Sequence, residues 1–230
     1  MDITCFLPCR KGSERIPKKN VQTFAGFEHG LLEIKLRQLD NCEAIDEIIL
    51  STNDEEIISY AESLKIDRLI VHHRDDQLCS STTSTDELVP LAMELANCEH
   101  ILWTHVTSPF FTSRVYYHFI DTYAMALQEG YDSLMSVKEL RSFIWNETGP
   151  VNHEREVEKW PRTQTLKPLF EVDSGAFLNS KRNYAEHGDR IGSNPQFFVS
   201  PGHASFDIDW PEDYILAQEM VVSGVVDIWG

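Results

Sequence analysis

Apolar positions along the chain fall into two alternating patterns. Short clusters rich in β-branched or apolar side chains, Ile3 to Leu7, Glu47 to Ser51, Arg68 to His72, Ile101 to Thr104 and Ser133 to Val137, have the length and composition of strands. Between them, Leu31 to Leu39, Glu55 to Leu64, Glu87 to Ala96 and Val115 to Leu127 carry apolar residues at helical spacing. Strand and helix taking turns in this way predict an α/β protein with a mostly parallel sheet flanked by helices on both faces. Local chemistry marks several boundaries: Asn53 or Asp54 can cap the helix starting near Glu55, and Thr112 or Ser113 the one after Pro109.

The alternation breaks at Glu139 to Val172, where Trp145, Trp160, Pro150, Pro161 and Pro168 are mixed with charge of both signs. A structureless loop of that length is unusual inside a compact domain, so residues 139–172 are expected to form an extended arm or hairpin docked on something else. Regular structure resumes with a strand over Ser174 to Leu178, a short segment to Tyr184, a strand at Phe197 to Val199 and a helix from Pro211 to Val221, with Pro211 at its first turn beside Glu212 and Asp213.

With 230 residues and 42% hydrophobic composition, the chain can bury one sizeable core, and residues 1–230 are expected to form a single domain. No stretch approaches the roughly 18 apolar residues of a membrane span, and the N-terminus lacks the basic-then-apolar order of a signal peptide, so the expected location is the cytoplasm. Cys5, Cys9, Cys42, Cys79 and Cys98 are odd in number and unpaired in spacing, which argues against a disulfide framework or a thiolate zinc site. A net charge of -17 argues against nucleic acid or an anionic membrane as partner.

That acidic background makes one exception informative. Five of the 20 basic residues lie between Arg10 and Lys19, directly after the first strand, in Arg10-Lys11-Gly12-Ser13-Glu14-Arg15-Ile16-Pro17-Lys18-Lys19-Asn20. Ligands of open α/β sheets bind beyond the carboxyl ends of strands, and glycine and serine let backbone N–H groups approach an anion that lysine and arginine neutralise. The run is neither a P-loop nor a dinucleotide fingerprint, since both glycine patterns are absent. A second candidate is the pair Asp207 and Asp209 in Phe206-Asp207-Ile208-Asp209-Trp210-Pro211-Glu212-Asp213; on a strand, carboxylates at this spacing point the same way and suit magnesium bridged to phosphate.

The basic run closely resembles the nucleotide-binding loop of the cytidylyltransferases that make CMP-N-acetylneuraminate and related CMP-nonulosonates, and the second segment resembles that family's D-x-D-x-P-E-D. The matches occur in the family's order, about 190 residues apart. The resemblance implies a Rossmann-like, GT-A-like nucleotidyltransferase fold with an extended dimerisation arm. The reaction it implies transfers CMP from CTP to the anomeric hydroxyl of an acidic 2-keto sugar of nine or eight carbons, releasing pyrophosphate.

Residue by residue, the resemblance puts Arg10, Lys11, Gly12, Ser13, Arg15 and Lys19 against the nucleotide phosphates, with Asn20 reaching the ribose or sugar. Arg10, Lys19 and Asp209 take catalytic roles, and Asp207 with Asp209 holds Mg2+; the resemblance names no base for the hydroxyl, and Asp209, acting directly or through metal-bound water, is the expected one. Arg74, Thr83 and Thr85 meet the cytosine. His105, Arg162, Gln164 and Ser174, together with Asn20, face the sugar, and the arm with Trp145 and Trp160 contacts a second copy in a homodimer. Five positions depart from the family pattern: Glu14 stands for lysine, Arg15 for glycine, His105 for glutamine, Phe111 for arginine and Ser174 for asparagine. His105 suggests an acceptor other than N-acetylneuraminate. Two alternatives stay open, a 3-deoxy-manno-octulosonate cytidylyltransferase and a catalytically silent CTP-binding homologue; retention of both aspartates argues against the latter.

Overall fold

The computed structural model describes residues 1–229. A seven-stranded sheet in the order β3-β2-β1-β4-β8-β5-β9 forms its centre. The strands are β1 (Ile3–Pro8), β2 (Glu47–Thr52), β3 (Leu69–His73), β4 (His100–Thr104), β5 (Ser133–Leu140), β8 (Leu169–Ser180) and β9 (Pro195–Val199). All run parallel except β8, which is antiparallel to both β4 and β5. The predicted α/β class and mostly parallel sheet are therefore correct. Its central strands are buried on both faces, which is why β1 and β2 read as continuous apolar runs rather than alternating ones.

Helices α1 (Gly30–Asp40), α2 (Glu55–Ser63), α4 (Ser113–Gln128) and α6 (Pro211–Val222) cover one face, and α3 (Thr85–Leu95) and α5 (Lys181–His187) the other. Asp54 caps α2 by accepting from Glu56 N at 3.0 Å. Thr112 takes the N-cap position of α4 without a side-chain capping bond. Helix α3 starts two residues before the predicted Glu87, because Ser84 and Glu87 form a reciprocal capping box. Helix α5 escaped the sequence reading: seven residues are too few for a periodic signal, and Gly188, left-handed at φ 63°, ends it.

Arg68 falls one residue outside β3 and ties the α1–β2 connection to that strand. Its guanidinium donates to the carbonyls of Cys42 (3.1 Å), Leu39 (3.2 Å), Ile45 and Asp40, at the end of α1 and in the turn that follows. Arg68→Met is expected to lower stability by about 2 kcal/mol through these stranded carbonyls, read as a lower urea midpoint with an unchanged slope.

The stretch over residues 139–172 takes the hairpin form of the two that its sequence predicts. β5 continues to Leu140 and β8 begins at Leu169, with Val137 paired to Val172 and Leu140 to Leu169, so the base of the arm is a hairpin growing out of the sheet. Its tip holds the two-residue strands β6 (Trp145–Asn146) and β7 (Gly149–Pro150) and a 3-10 turn at Thr163–Thr165. The Asn152 side chain holds the tip together, donating to Ser142 O (2.8 Å) and Lys167 O (3.3 Å) and accepting from Ile144 N (3.2 Å). Trp145 and Trp160 remain 46% and 60% exposed, with the Arg155 guanidinium 5.3 and 5.4 Å from their ring centroids. Among the described residues no helix is long and apolar enough to cross a membrane.

Candidate active site

The strand order reverses between β1 and β4, and the carboxyl ends of these two strands open into a cleft of about 400 Å3. Pro8, Cys9, Arg10, Ser13, Glu14, Arg15, Lys19 and Asn20 line it from the β1 side, His105, Val106 and Thr107 from the β4 side, and Ser81 from the loop before α3. The basic loop is shaped by its backbone. Gly12 is left-handed at φ 80° and Lys18 at φ 52°, and Lys18 O accepts from both Val21 N and Gln22 N at 2.9 Å. Lys11 N donates to Asn53 Oδ1 at 2.9 Å, fixing the loop to the end of β2. On its other side the loop meets Asp54, Glu55 and Glu56, whose charge opposes a triphosphate. The face turned toward His105 is therefore the one whose charge suits an anion.

The Asp207–Asp209 segment borders this cleft through contacts with Arg15, Lys19 and Thr107. It is an extended connection into α6 rather than the strand that would align the two carboxylates, because Ile208 N bonds to Thr107 O (2.9 Å) in the loop after β4 instead of joining the sheet. Asp213 Oδ2 accepts from Trp210 N (2.7 Å) and Asp209 N (3.1 Å), which fixes the segment to the first turn of α6. Arg15 Nη2 lies 2.8 Å from Asp209 Oδ1, and its guanidinium stacks 4.9 Å from the Trp210 ring centroid. Lys19 Nζ donates to Ile208 O at 2.7 Å and lies 4.0 Å from Asp209 Oδ1. Burial draws the Lys19 ammonium below its ordinary range. Burial also pushes the Asp207 carboxyl up to about 6, helped by the Asp209 charge, and Asp207 Oδ1 is buried without a partner.

A buried carboxylate oxygen without a donor, next to a second carboxylate, is a set of hard acceptors that a divalent cation would satisfy. No group of three or more His, Cys, Asp or Glu residues suited to a metal occurs among the described residues. The donor set therefore fits an ion such as magnesium that takes few protein ligands and completes its shell from phosphate and water, rather than a closed protein cage.

A second cleft of about 650 Å3 adjoins the aspartates, lined among others by Lys138, Asp173, Ser174, His203, Asp207, Asp209 and Trp210. Ser174 is left-handed at φ 58° and stays so because the Asp173 carboxylate is held by Ser136 and Ser200 and accepts from Gly175 N at 3.0 Å. Gly175 lies against Phe111, the position that departs from the family's arginine: a Cβ there would sit 2.6 Å from a Phe111 ring carbon. Phe111 is fully buried among Tyr116, Phe119 and Phe198.

Lys35 braces this wall from α1. Fully buried, its ammonium donates to Ser108 O (2.9 Å), Phe111 O (3.1 Å) and Tyr116 OH (2.9 Å). The Tyr116 hydroxyl meets Thr104 Oγ1 at 2.5 Å, and Thr104 Oγ1 donates to Gly175 O at 2.7 Å. One cation thus ties the loop after β4 to the strand that carries Ser174. Burial draws Lys35 down to about 7. Between pH 7 and the ordinary lysine range the unfolded chain holds a proton that the folded one has released, so this group makes stability rise with pH in that window. The urea midpoint is expected to climb from pH 7 to 9, and Lys35→Met should flatten that climb.

The structure gathers Arg10, Ser13, Arg15, Lys19, Asn20, His105, Asp207 and Asp209 around the two adjoining clefts, with Ser174 in the second. Lys11 and Gly12 face the α2 side of the loop. Arg74 is buried, and its guanidinium donates to Ser51 Oγ (3.1 Å) and Ser51 O. Thr83 bonds Ser80 Oγ at 2.8 Å, Thr85 opens α3, and the cleft is reached from this loop by Ser81. Arg162 and Gln164 lie exposed on the arm, away from both clefts of their own chain. Lys35, Ser81, Thr107, Lys138 and Trp210 were missed. Thr107, in the turn after β4, and Trp210, inside the Asp207–Asp213 motif, carried a signal; the others depend on contacts across the fold. Cys9, though in the cleft wall, is buried and its thiol pushed up to about 12, which removes it as a nucleophile.

A cytidylyltransferase family profile matches residues 4–186. The chain belongs to the cytidylyltransferase family. Its members are nucleotidyltransferases, which a basic loop beside a carboxylate pair suits. This cytidylyltransferase is 28% identical to the pseudaminic acid cytidylyltransferase of Campylobacter jejuni over 222 residues, covering 93% of this chain and 94% of the relative. It is 25% identical to N-acylneuraminate cytidylyltransferase A of Danio rerio, across 96% of this chain but 51% of that longer protein. Among solved structures it is similar to CMP:2-keto-3-deoxy-manno-octonic acid synthetase complexed with CTP (TM-score 0.66, 13% identity, 97% of this chain and 100% of the other). It is also similar to 4-diphosphocytidyl-2C-methyl-D-erythritol synthase from Anaerococcus prevotii (TM-score 0.67, 14% identity, 96% of each). At these identities the structural likenesses speak for the fold alone.

Proposed function

We propose that this cytidylyltransferase transfers CMP from CTP to the anomeric hydroxyl of an acidic 2-keto sugar of the sialic-acid-like nonulosonate class. The observation that carries the reading is the meeting of the basic loop with the Asp207–Asp209 pair at the reversal of strand order, where Arg15 and Lys19 reach Asp209 across 194 and 190 residues of chain. The pseudaminic acid and N-acylneuraminate relatives, matched over most of the chain, support the acceptor class.

In the proposed reaction the sugar hydroxyl oxygen bonds to the α-phosphorus of CTP, the bond from that phosphorus to the pyrophosphate oxygen breaks, and the hydroxyl proton passes to Asp209. Arg10, Ser13, Arg15 and Lys19 hold the triphosphate, whose charge competes with Asp209 for Arg15 and so frees the carboxylate on binding. Asp207 and Asp209 would hold Mg2+, which when bound offsets phosphate charge as a Lewis acid. Burial draws His105 down to about 3, helped by the Arg190 charge, which favours the neutral, hydrogen-bonding form of the ring facing the sugar.

The same reading includes a homodimer. Trp145, Trp160, Phe170, Val172, Phe197 and Val199 present exposed apolar surface along the arm and the adjoining sheet edge, and such anchors are typical of interface cores. It also includes a cytoplasmic location, in keeping with five free cysteines, four of them buried.

The test is pyrophosphate release from CTP with magnesium and a panel of N-acetylneuraminate, legionaminate, pseudaminate and 3-deoxy-manno-octulosonate. Release with a nonulosonate is the expected result. Release with 3-deoxy-manno-octulosonate alone would move the acceptor class, and silence across the panel despite CTP binding would overturn the transfer reaction.

A further inference from the structure

Arg190, just beyond α5, carries a cation without a partner. Its guanidinium carbon lies 4.0 Å from the Phe177 ring centroid and 5.4 Å from that of Trp103, on the face of the sheet covered by α3 and α5. The residue's one hydrogen bond among the described residues is from its backbone N–H to Asp189 Oδ1. No carboxylate comes within ion-pair distance of the side chain; Asp189 and Asp86 act on it only from farther away. Beside it two more polar atoms are orphaned: Trp103 Nε1 and Tyr184 Oη, both on fully buried side chains.

A guanidinium and an indole N–H can only donate, and a phenol donates readily, so the partner that these groups lack is an acceptor. Stacking on aromatic rings steadies the cation by about 0.5–2 kcal/mol but supplies no acceptor. An ordered water could pair Trp103 and Tyr184, yet it would leave the half-buried charge of Arg190 uncompensated. An oxyanion does both. The position also matters: His105, whose ring centroid lies 6.4 Å from that of Trp103, lines the nucleotide cleft and feels the Arg190 charge. The unpartnered donors therefore lie behind the acceptor-side wall of the cleft.

We infer that Arg190, Trp103 Nε1 and Tyr184 Oη form an oxyanion-binding pocket behind His105 that takes a carboxylate or a phosphate. Two sources supply this chemistry. One is the carboxylate of the acidic sugar itself, a source that rests on the function proposed above; the other is a free anion that binds independently of turnover.

Arg190→Met and Arg190→Lys separate these, using the full chain. Thermal midpoints are measured against inorganic phosphate with the nucleotide cleft saturated by CTP, and KM values for CTP and for the acceptor are measured in parallel. In the absence of phosphate Arg190→Met should melt at or above the parent, since it removes an uncompensated charge, which also establishes that the variant folds. If the sugar carboxylate is the ligand, its KM rises about tenfold or more in Arg190→Met, is partly rescued in Arg190→Lys, and the KM for CTP stays within about twofold. If a free anion is the ligand, phosphate raises the parent midpoint and not that of Arg190→Met, with both KM values unchanged. A parent indifferent to phosphate together with unaltered KM values in Arg190→Met overturns the pocket. The phosphate arm needs no turnover, so failure of the proposed transfer reaction would be seen separately.

Discussion

Asp209→Asn is expected to lower kcat for CMP transfer about 1000-fold or more, equivalent to about 4 kcal/mol of lost transition-state stabilisation, while the protein stays folded. The substitution keeps the shape of the side chain and the bond from Arg15, but removes the charge that would hold magnesium and the oxygen that would take the hydroxyl proton. Because Arg15 and Lys19 remain, CTP affinity measured without metal should stay level or improve, and that combination separates a catalytic carboxylate from a structural one. Asp207→Asn should lower turnover similarly, with an additional signature. Its carboxyl is pushed up to about 6 by burial, so in the metal-free protein the folded state takes up a proton as pH falls from about 6 toward 4 and gains stability from this group over that window. At neutral pH the buried charge is a cost, and Asp207→Asn should raise metal-free stability by about 2 kcal/mol. A variant with a higher melting temperature and no activity would mark stability given up for chemistry. Near-normal turnover in Asp209→Asn would remove its assigned role.

Gly30→Ala is expected to cost about 4 kcal/mol or to prevent stable folding. Gly30 opens α1 at φ 54°, and a Cβ there would stand 2.1 Å from the carbonyl oxygen of Gln22, a backbone atom that cannot swing aside. Gln22 N bonds to Lys18 O, and Leu32 N bonds to Asn20 O at 2.9 Å, so relief of the clash would have to move the return of the basic loop, including Lys19 and Asn20. Variant protein that does fold should therefore bind CTP more weakly, by about tenfold or more in Kd, while its far-ultraviolet circular dichroism is kept. A fully stable variant with parental CTP affinity would show that this close approach does not govern the loop.

The sequence by itself determined what depends on near neighbours. Strand and helix period, the Asp54 cap, Pro211 at the head of α6 and a cationic loop after β1 are set by residues a few positions apart, and all were legible. A seven-residue helix was not, because it leaves too little period in the sequence to read, and the arm or hairpin over residues 139–172 was legible only in outline, without the strand pairing and Asn152 contacts that build it. Tertiary structure alone decided where charge ends up. Arg74 is buried against Ser51, and Arg162 and Gln164 lie exposed on the arm. Lys35 sits on an amphipathic helix where a lysine would normally point to water, yet it is buried because Ser108, Phe111 and Tyr116 converge on it from over 70 residues away. Asp207 and Asp209 carry the right residue types for a metal, but their burial, the orphaned oxygen and the cations beside them arise only when the end of the chain packs against the loop after β4. Local propensity is written residue by residue, whereas the dielectric around a charged group is made by everything folded against it.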